Sequence, residues 1–136
     1  MDVPRKSMKP HTVRLFNFLG ETNDVASYQE AVIKHCYCNA DDGVTSSTAG
    51  VTTDDTARLY IFKRDAKITA PDGTPMRYLP FDEWNNLANK TGYWTLNPNG
   101  KDYFTVEGRT SRLKIKRFSD KEIGSRRMWH FEVDGI

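Results

Sequence analysis

The stretches RLKIKRF (112–118) and MWHFEV (128–133) decide the fold class. In the first, Leu113 and Ile115 alternate with Arg112, Lys114 and Lys116; in the second, Trp129, Phe131 and Val133 alternate with Met128, His130 and Glu132. Successive side chains of an extended chain point to opposite faces, so each stretch has one dry and one wet face, the signature of a half-buried antiparallel strand. Lys101–Val106, Lys67–Thr69 and Leu59–Lys63 read likewise, and from Thr12 the residues Val13 and Leu15 point inward with Arg14 and Phe16 between them. Tyr28–Cys38 is rich in Tyr, Val, Ile and Cys, and Ala31 and Ile33 against Val32 and Cys36 leave both of its faces partly apolar. One segment has helical spacing: Phe81, Trp84, Leu87 and Ala88 follow Pro80, with Asp82 and Glu83 where the helix dipole favours carboxylates, predicting two or three turns over 81–89. Short strands with turn residues between them predict an all-β fold, a small barrel or sandwich of about five to seven mostly antiparallel strands with one short helix.

The 136 residues carry 20 Lys plus Arg against 18 Asp plus Glu, with 38% apolar residues. That is one domain of ordinary charge, long enough to bury about two thirds of its unfolded surface without a metal or disulfide. Residues 1–11 hold two prolines and three basic side chains with little apolar content and read as a flexible N-terminal arm, leaving 12–136 as a single barrel domain. No run approaches the roughly 18 apolar residues of a membrane span, and no apolar stretch follows the basic start, so neither a membrane partner nor secretion is expected.

Two segments break the even texture. Residues 39–57, NADDGVTSSTAGVTTDDTA, contain no aromatic residue, no Leu, Ile or Phe, and no Lys or Arg, but five threonines, two serines and four aspartates. With nothing large to bury, this interval is expected to be a long flexible loop. Residues 109–127 hold eight basic side chains and two acidic ones, a local net of +6 that leaves −4 for the rest. The basic set, Arg109, Arg112, Lys114, Lys116, Arg117, Arg126 and Arg127, is expected to contact an acidic neighbour.

The residues that could carry chemistry are few. Cys36 and Cys38, beside His35, form a C-x-C pair on a strand without the knuckle or second pair of a zinc site, so free thiols and a reducing compartment are expected. Asp41, Asp42, Asp54 and Asp55 lack the spacing of a calcium loop, and no nucleophile elbow, metalloprotease motif or phosphate-binding Gly-rich loop occurs. No enzymatic activity, metal or cofactor is therefore expected. Tyr103, Phe104, Phe118 and Trp129 near the basic segment admit a stacking platform for single strands, as on OB-like barrels, against the plainer reading of core packing, with Trp129 and Phe131 sharing an inner face.

YLPFDEW (78–84) and GYWTLNPNGKDYFTVEG (92–108), with HTVRLFN near the start and RRMWHFEV near the end, together resemble a family of small tailed-phage and prophage proteins found among head-completion genes. The shared signals are Tyr78, Pro80 and Trp84, then Trp94, Thr95 and Leu96, Asp102, and Glu107 with Gly108. The pattern is similar to that of head-tail connector proteins of stopper, or head-closure, type, and the resemblance covers most of the chain. Read as physics alone, Tyr78, Pro80, Trp84, Trp94, Leu96 and Trp129 are structural anchors, and Asn97, Pro98, Asn99 and Gly100 supply a turn with Gly100 at positive φ.

The resemblance implies a structural virion protein of the bacteriophage neck, made in the host cytoplasm. It would form a homo-oligomeric ring, twelvefold or sixfold, that closes the DNA channel after packaging and gives the tail its platform. Its partners would be a portal or adaptor protein on the head side, a tail-completion or tail-tube protein on the other, and genomic DNA in the lumen. Residues 39–57 fall where stopper proteins carry a channel-closing loop, which points to Asp41, Asp42, Val44, Thr45, Val51, Asp54 and Asp55 as its channel residues. The alternatives are an adaptor or tail-completion subunit, or an OB-like single-stranded nucleic-acid binder.

Overall fold

The computed structural model describes residues 10–47, 50–98, 101–109 and 112–136, with the backbone alone described over 40–47 and 50–55. The chain is mostly antiparallel β, with nine strands among the described residues: β1 (His11–Thr22), β2 (Val25–Ser47), β3 (Gly50–Phe62), β4 (Lys67–Thr69), β5 (Arg77–Tyr78), β6 (Tyr93–Trp94), β7 (Tyr103–Val106), β8 (Leu113–Lys121) and β9 (His130–Gly135), with α1 (Phe81–Asn85) between β5 and β6. Six strands hydrogen-bond in the cyclic order β1-β7-β8-β9-β3-β2 and back to β1, while β4 adds to β2 outside the ring and β5 and β6 form a short parallel pair. The expected all-β barrel with one short helix is thus observed. Closure removes the free edges that would otherwise invite pairing with other chains.

The alternation read from sequence sets the interior. Val13 and Leu15 of β1, Leu59 and Ile61 of β3, Phe104 and Val106 of β7, Leu113 and Ile115 of β8, and Phe131 and Val133 of β9 are all buried in one cluster, with Trp94 and Leu96 joining it. Gly135 is where that cluster comes closest to a backbone. A Cβ built there would lie 2.7 Å from two ring atoms of Phe104, so only glycine lets β9 pass over that ring.

Two local devices shape β1 and β2. Asn23 and Asp24 both take left-handed φ, 52° and 62°, and join Thr22 to its rung partner Val25 as a two-residue hairpin turn, a conformation these side chains tolerate well. Further along, His11 pairs with Cys36 but Thr12 pairs with Lys34, which leaves His35 as an extra residue at φ 60°. This bulge explains why Ala31, Ile33, Cys36 and Cys38 all reach the interior although strict alternation from Ile33 would send Cys36 outward.

Several expectations are corrected. The described residues of this interval, 39–47 and 50–57, are not a loop. They are the far ends of β2 and β3, paired continuously from Asn39↔Arg58 to Ser47↔Gly50. Threonine and valine favour extended backbone even without a core to pack on, and the two halves satisfy each other's amides. His11 belongs to β1 rather than to an arm; residues 1–9 lie outside the described residues. The helix covers only Phe81–Asn85, because Asn85 and Asn86 are weak helix formers and Asn86 already caps the turn. Trp129 is half-buried, not inside: Arg126–Met128 forms a single 3-10 turn, β9 starts only at His130, and the inward set is Phe131 and Val133. Asn99 and Gly100 of the expected turn lie outside the described residues.

Candidate functional site

The most prominent element is the outer part of the β2–β3 hairpin. Strand β9 pairs with β3 only over Ala57–Phe62, and β1 pairs with β2 only as far as Cys36. The rungs from Asp41↔Thr56 to Ser47↔Gly50 therefore have no lateral strand partner among the described residues, and at about 3.3 Å per residue they make an arm of roughly 20–25 Å. All the expected channel residues, Asp41, Asp42, Val44, Thr45, Val51, Asp54 and Asp55, fall on it. The four aspartates occupy three consecutive rungs, Asp41↔Thr56, Asp42↔Asp55 and Gly43↔Asp54.

The basic set does not form one face. At the root of the arm, Arg58 and Arg117 grip the same carboxylate across three strands: Arg58 Nε donates to Asp134 Oδ1 at 2.8 Å and Arg117 Nε donates to Asp134 Oδ2 at 2.6 Å. The hydrogen bond from Arg58, with that from Arg117 and both charges, holds the Asp134 carboxyl below its ordinary range against some desolvation. Lys116 lies in the same shallow recess as Arg58, Arg117 and Asp134. Arg109 instead borders a cleft of about 680 Å³ with Thr12, Arg14, Lys34 and Glu107, after the Gly108 turn at φ 87°. Arg126 and Arg127 sit in the 3-10 turn, where the Arg126 guanidinium stands 5.7 Å from the Trp129 ring.

Arg112 and Lys114 join a group that the sequence pattern did not single out. Phe16 and Phe18 of β1 and Tyr28 of β2, all half-buried, form a cluster with the buried Tyr103 of β7 outside the main core cluster. Phe16 stacks on Tyr103 at 4.6 Å and 16°, and Tyr28 meets Phe16, Phe18 and Tyr103 edge-on. Cations stand over it: Lys101 Nζ is 4.5 Å from the Phe18 centroid and Arg112 Cζ is 4.9 Å from that of Tyr103. Such contacts contribute about 0.5–1 kcal/mol each at exposed sites. Of the four aromatics expected near the basic segment, only Tyr103 takes part. Phe104 is in the core, Phe118 packs against it, and Trp129 stands with Arg126. The signal that could have found the group is the outward phase of β1: if Leu15 and Asn17 point in, Phe16 and Phe18 must point out.

Two interior features hold these surfaces in place. Asn17 Nδ2 donates to the Thr95 carbonyl at 2.8 Å and to Asp102 Oδ2 at 3.0 Å, while Thr95 N–H donates to Asn17 Oδ1 at 3.2 Å. The Phe18 amide donates to Asp102 Oδ1 at 2.9 Å. Burial raises the Asp102 carboxyl above its usual range, with the Phe18 and Asn17 hydrogen bonds opposing. This clasp gives Thr95 and Asp102 of the quoted motif a role in docking the β6–β7 segment onto β1. On another side, Met76, Tyr78, Trp94 and Phe131 line a largely apolar recess of about 480 Å³, and burial pushes the Tyr78 phenol up to about 12. Lys63 closes its rim, 4.6 Å from the Phe131 centroid, donating to Glu122 Oε1 at 2.6 Å and lying 2.7 Å from Asp120 Oδ1.

The two cysteines are free and buried. Burial pushes the Cys36 thiol up to about 12 and the Cys38 thiol to about 11, so both are protonated near neutrality and act as small apolar side chains. Cys38 N–H donates to His11 Nδ1 at 3.0 Å, tying the start of β1 to the bulge.

Comparison with known families turns on residues 8–136, which match the model of a family of unknown function, DUF6751, over nearly the whole chain. The chain belongs to the DUF6751 family. The match takes in both the barrel and the hairpin of this DUF6751 protein, so the arm is part of the family unit. No curated protein and no solved structure matches it.

Proposed function

We propose that this DUF6751 chain is a non-enzymatic structural protein of the phage neck, a head-tail connector of stopper type that works as a homo-oligomeric ring between portal or adaptor and tail. The observation that carries the reading is the hairpin arm. A closed barrel needs no arm for its own stability, and this one leaves the ring with no lateral strand partner among the described residues. Repeated around an axis, such arms bring many hydroxyls and carboxylates to a lumen. Carboxylates repel DNA phosphates, so DNA passes without adhering while the arms are apart, and main-chain groups at their tips can pair between copies to close the channel. The sequence resemblance of Tyr78–Gly108 to head-completion proteins supports the same assignment.

The test is genetic and structural together. Replacing residues 41–56 by a short turn in the phage that encodes the chain should leave head filling intact, and filled heads should lose their DNA before tails attach. Tailless heads that keep their DNA with the arm removed would refute the stopper role. Particle reconstruction at the head-tail junction should show the barrel as one ring layer with its arms toward the axis.

A further inference from the structure

We infer that the cleft between the loop after β4 and the turn after β7 binds a phosphate group, free or carried on a larger molecule. The inference is independent of the ring reading, since it uses neither the hairpin arm nor a second copy.

Strand register builds the floor. Arg14 of β1 stands opposite Thr105 of β7 on one side and Val32 of β2 on the other, and Val32 stands opposite Thr69 of β4. The adjoining row runs from Thr12 to Lys34 to Lys67. Directly opposed residues share a face of a sheet, and Val13 and Ile33, which alternate with these positions, lie in the core, so both rows face outward.

The walls are two short turns fixed by main-chain hydrogen bonds. On the β4 side, Ala70 N–H donates to the Thr74 carbonyl at 2.8 Å, and Gly73 N–H donates to the Ala70 carbonyl at 2.9 Å. On the β7 side, Glu107 N–H donates to the Thr12 carbonyl at 2.9 Å and Arg109 N–H to the Val106 carbonyl at 3.0 Å. Floor and walls bound a space of about 680 Å³. Ligand clefts commonly measure about 300–1,000 Å³.

Charge and donors select the ligand. Lys34 and Lys67 stand directly opposite each other, and like charges so placed weaken a strand pair unless an anion lies between them. Among the described residues Arg14 gives Nη1 alone to Glu30, at 3.0 Å, and keeps further guanidinium donors. With Lys67 beside the cleft and Arg109 in its lining, four cations meet two carboxylates, Glu30 and Glu107, and the surplus matches a phosphate dianion. Asp72 turns back on its own loop, accepting from the Thr74 amide at 2.9 Å. Thr12, Thr69 and Thr105 add hydroxyl donors, which a tetrahedral oxyanion accepts on several sides. No aromatic ring is among the described residues that line the cleft, so it recognises the phosphate and not a base.

Isothermal titration of the full chain with inorganic pyrophosphate tests the site. Lys34→Gln with Lys67→Gln should weaken binding by about tenfold or more, while Arg112→Gln, on another face, should change it by less than about twofold. Both lysines are exposed, and circular dichroism checks that each variant keeps its strands. Melting gives a readout that a purely structural lysine pair would not: Lys67→Gln should raise the melting temperature of the free chain by relieving the like-charge rung. The same change should remove most of the rise that pyrophosphate gives the unsubstituted chain. Tripolyphosphate, adenosine triphosphate and a short DNA duplex identify the source. A duplex that binds more tightly than tripolyphosphate and is displaced by it makes the source a nucleic-acid backbone. A duplex that fails to bind while tripolyphosphate and adenosine triphosphate bind alike makes it a free phosphate compound; either result upholds the site. Absence of pyrophosphate binding at millimolar concentration, affinity indifferent to both lysines, or an equal loss with Arg112→Gln would overturn it. An oligoglutamate peptide that binds at least as tightly as tripolyphosphate would make the cleft a seat for acidic chains and overturn the phosphate reading. These failures leave the ring reading standing, because that reading is tested by DNA retention in filled heads.

Discussion

Strands β2 and β3 serve two regions held together by different forces. Inside the ring, Ala31, Ile33, Cys36 and Cys38 of β2 and Ala57, Leu59 and Ile61 of β3 are buried against four other strands. Beyond Ala57 the same two strands pair, among the described residues, only with each other, through main-chain hydrogen bonds, and their composition has no Leu, Ile, Phe or aromatic residue. Apolar burial supplies most of a domain's stability, whereas a two-stranded ribbon alone is marginal in water. The barrel is therefore where stability resides, and the arm is where the chain keeps backbone and charge available for something else.

Truncations in the barrel should make the largest difference. Trp94→Ala removes a fully buried ring that packs on Tyr78 and Phe131 at 5.0 and 5.8 Å, and should cost about 3–5 kcal/mol in denaturant unfolding. A loss near zero would mean that the β5–β6 layer is not part of the cooperative unit. Asn17→Ala leaves Thr95 backbone groups and Asp102 buried with fewer partners, and should cost about 2–3 kcal/mol although it deletes little apolar surface.

Two of the perturbed carboxylates sharpen the contrast through pH. Asp134 titrates below its ordinary range when folded, so it contributes stability above the unfolded carboxylate pKa that is lost as pH falls through its depressed value. Asp102 titrates above its ordinary range, so its contribution is full below the unfolded pKa and is lost as pH rises through its raised value. Asp134→Asn should therefore flatten the acid limb of the stability profile, by less than about 1 kcal/mol because solvent screens this exposed strand face. An unchanged acid limb would show that the Arg58–Asp134–Arg117 bridge contributes nothing at the root of the arm.

The smallest effect is expected from the largest deletion. Shortening the arm across 41–56 to a four-residue turn should change thermal stability by less than about 0.5 kcal/mol, because loop closure depends weakly on length and none of the described core residues is removed. A variant that fails to fold would make the arm part of the barrel's folding unit and erase the distinction between the two regions.

What the residue order makes plain is local. Alternation at Val13 and Leu15, Leu113 and Ile115, and Phe131 and Val133 marks one face of each strand as dry, and half-dry strands must share a core, so the all-β class and most of the interior follow from period alone. Composition misled where propensity and burial diverge: the threonines and valines of 39–57 have no core, yet extended backbone is still their preferred state once two halves can pair. The helix stopped after five residues because two asparagines outweighed the spacing of Leu87 and Ala88. Long-range placement belongs to the tertiary structure. The bulge at His35, the clasp of Asn17 on Thr95 and Asp102, and the meeting of Phe16, Phe18 and Tyr28 with Tyr103, Lys101 and Arg112 join residues as far as 87 positions apart, Phe16 and Tyr103. Strand register and barrel closure bring them together, and both are properties of the whole set of strands that no single stretch encodes.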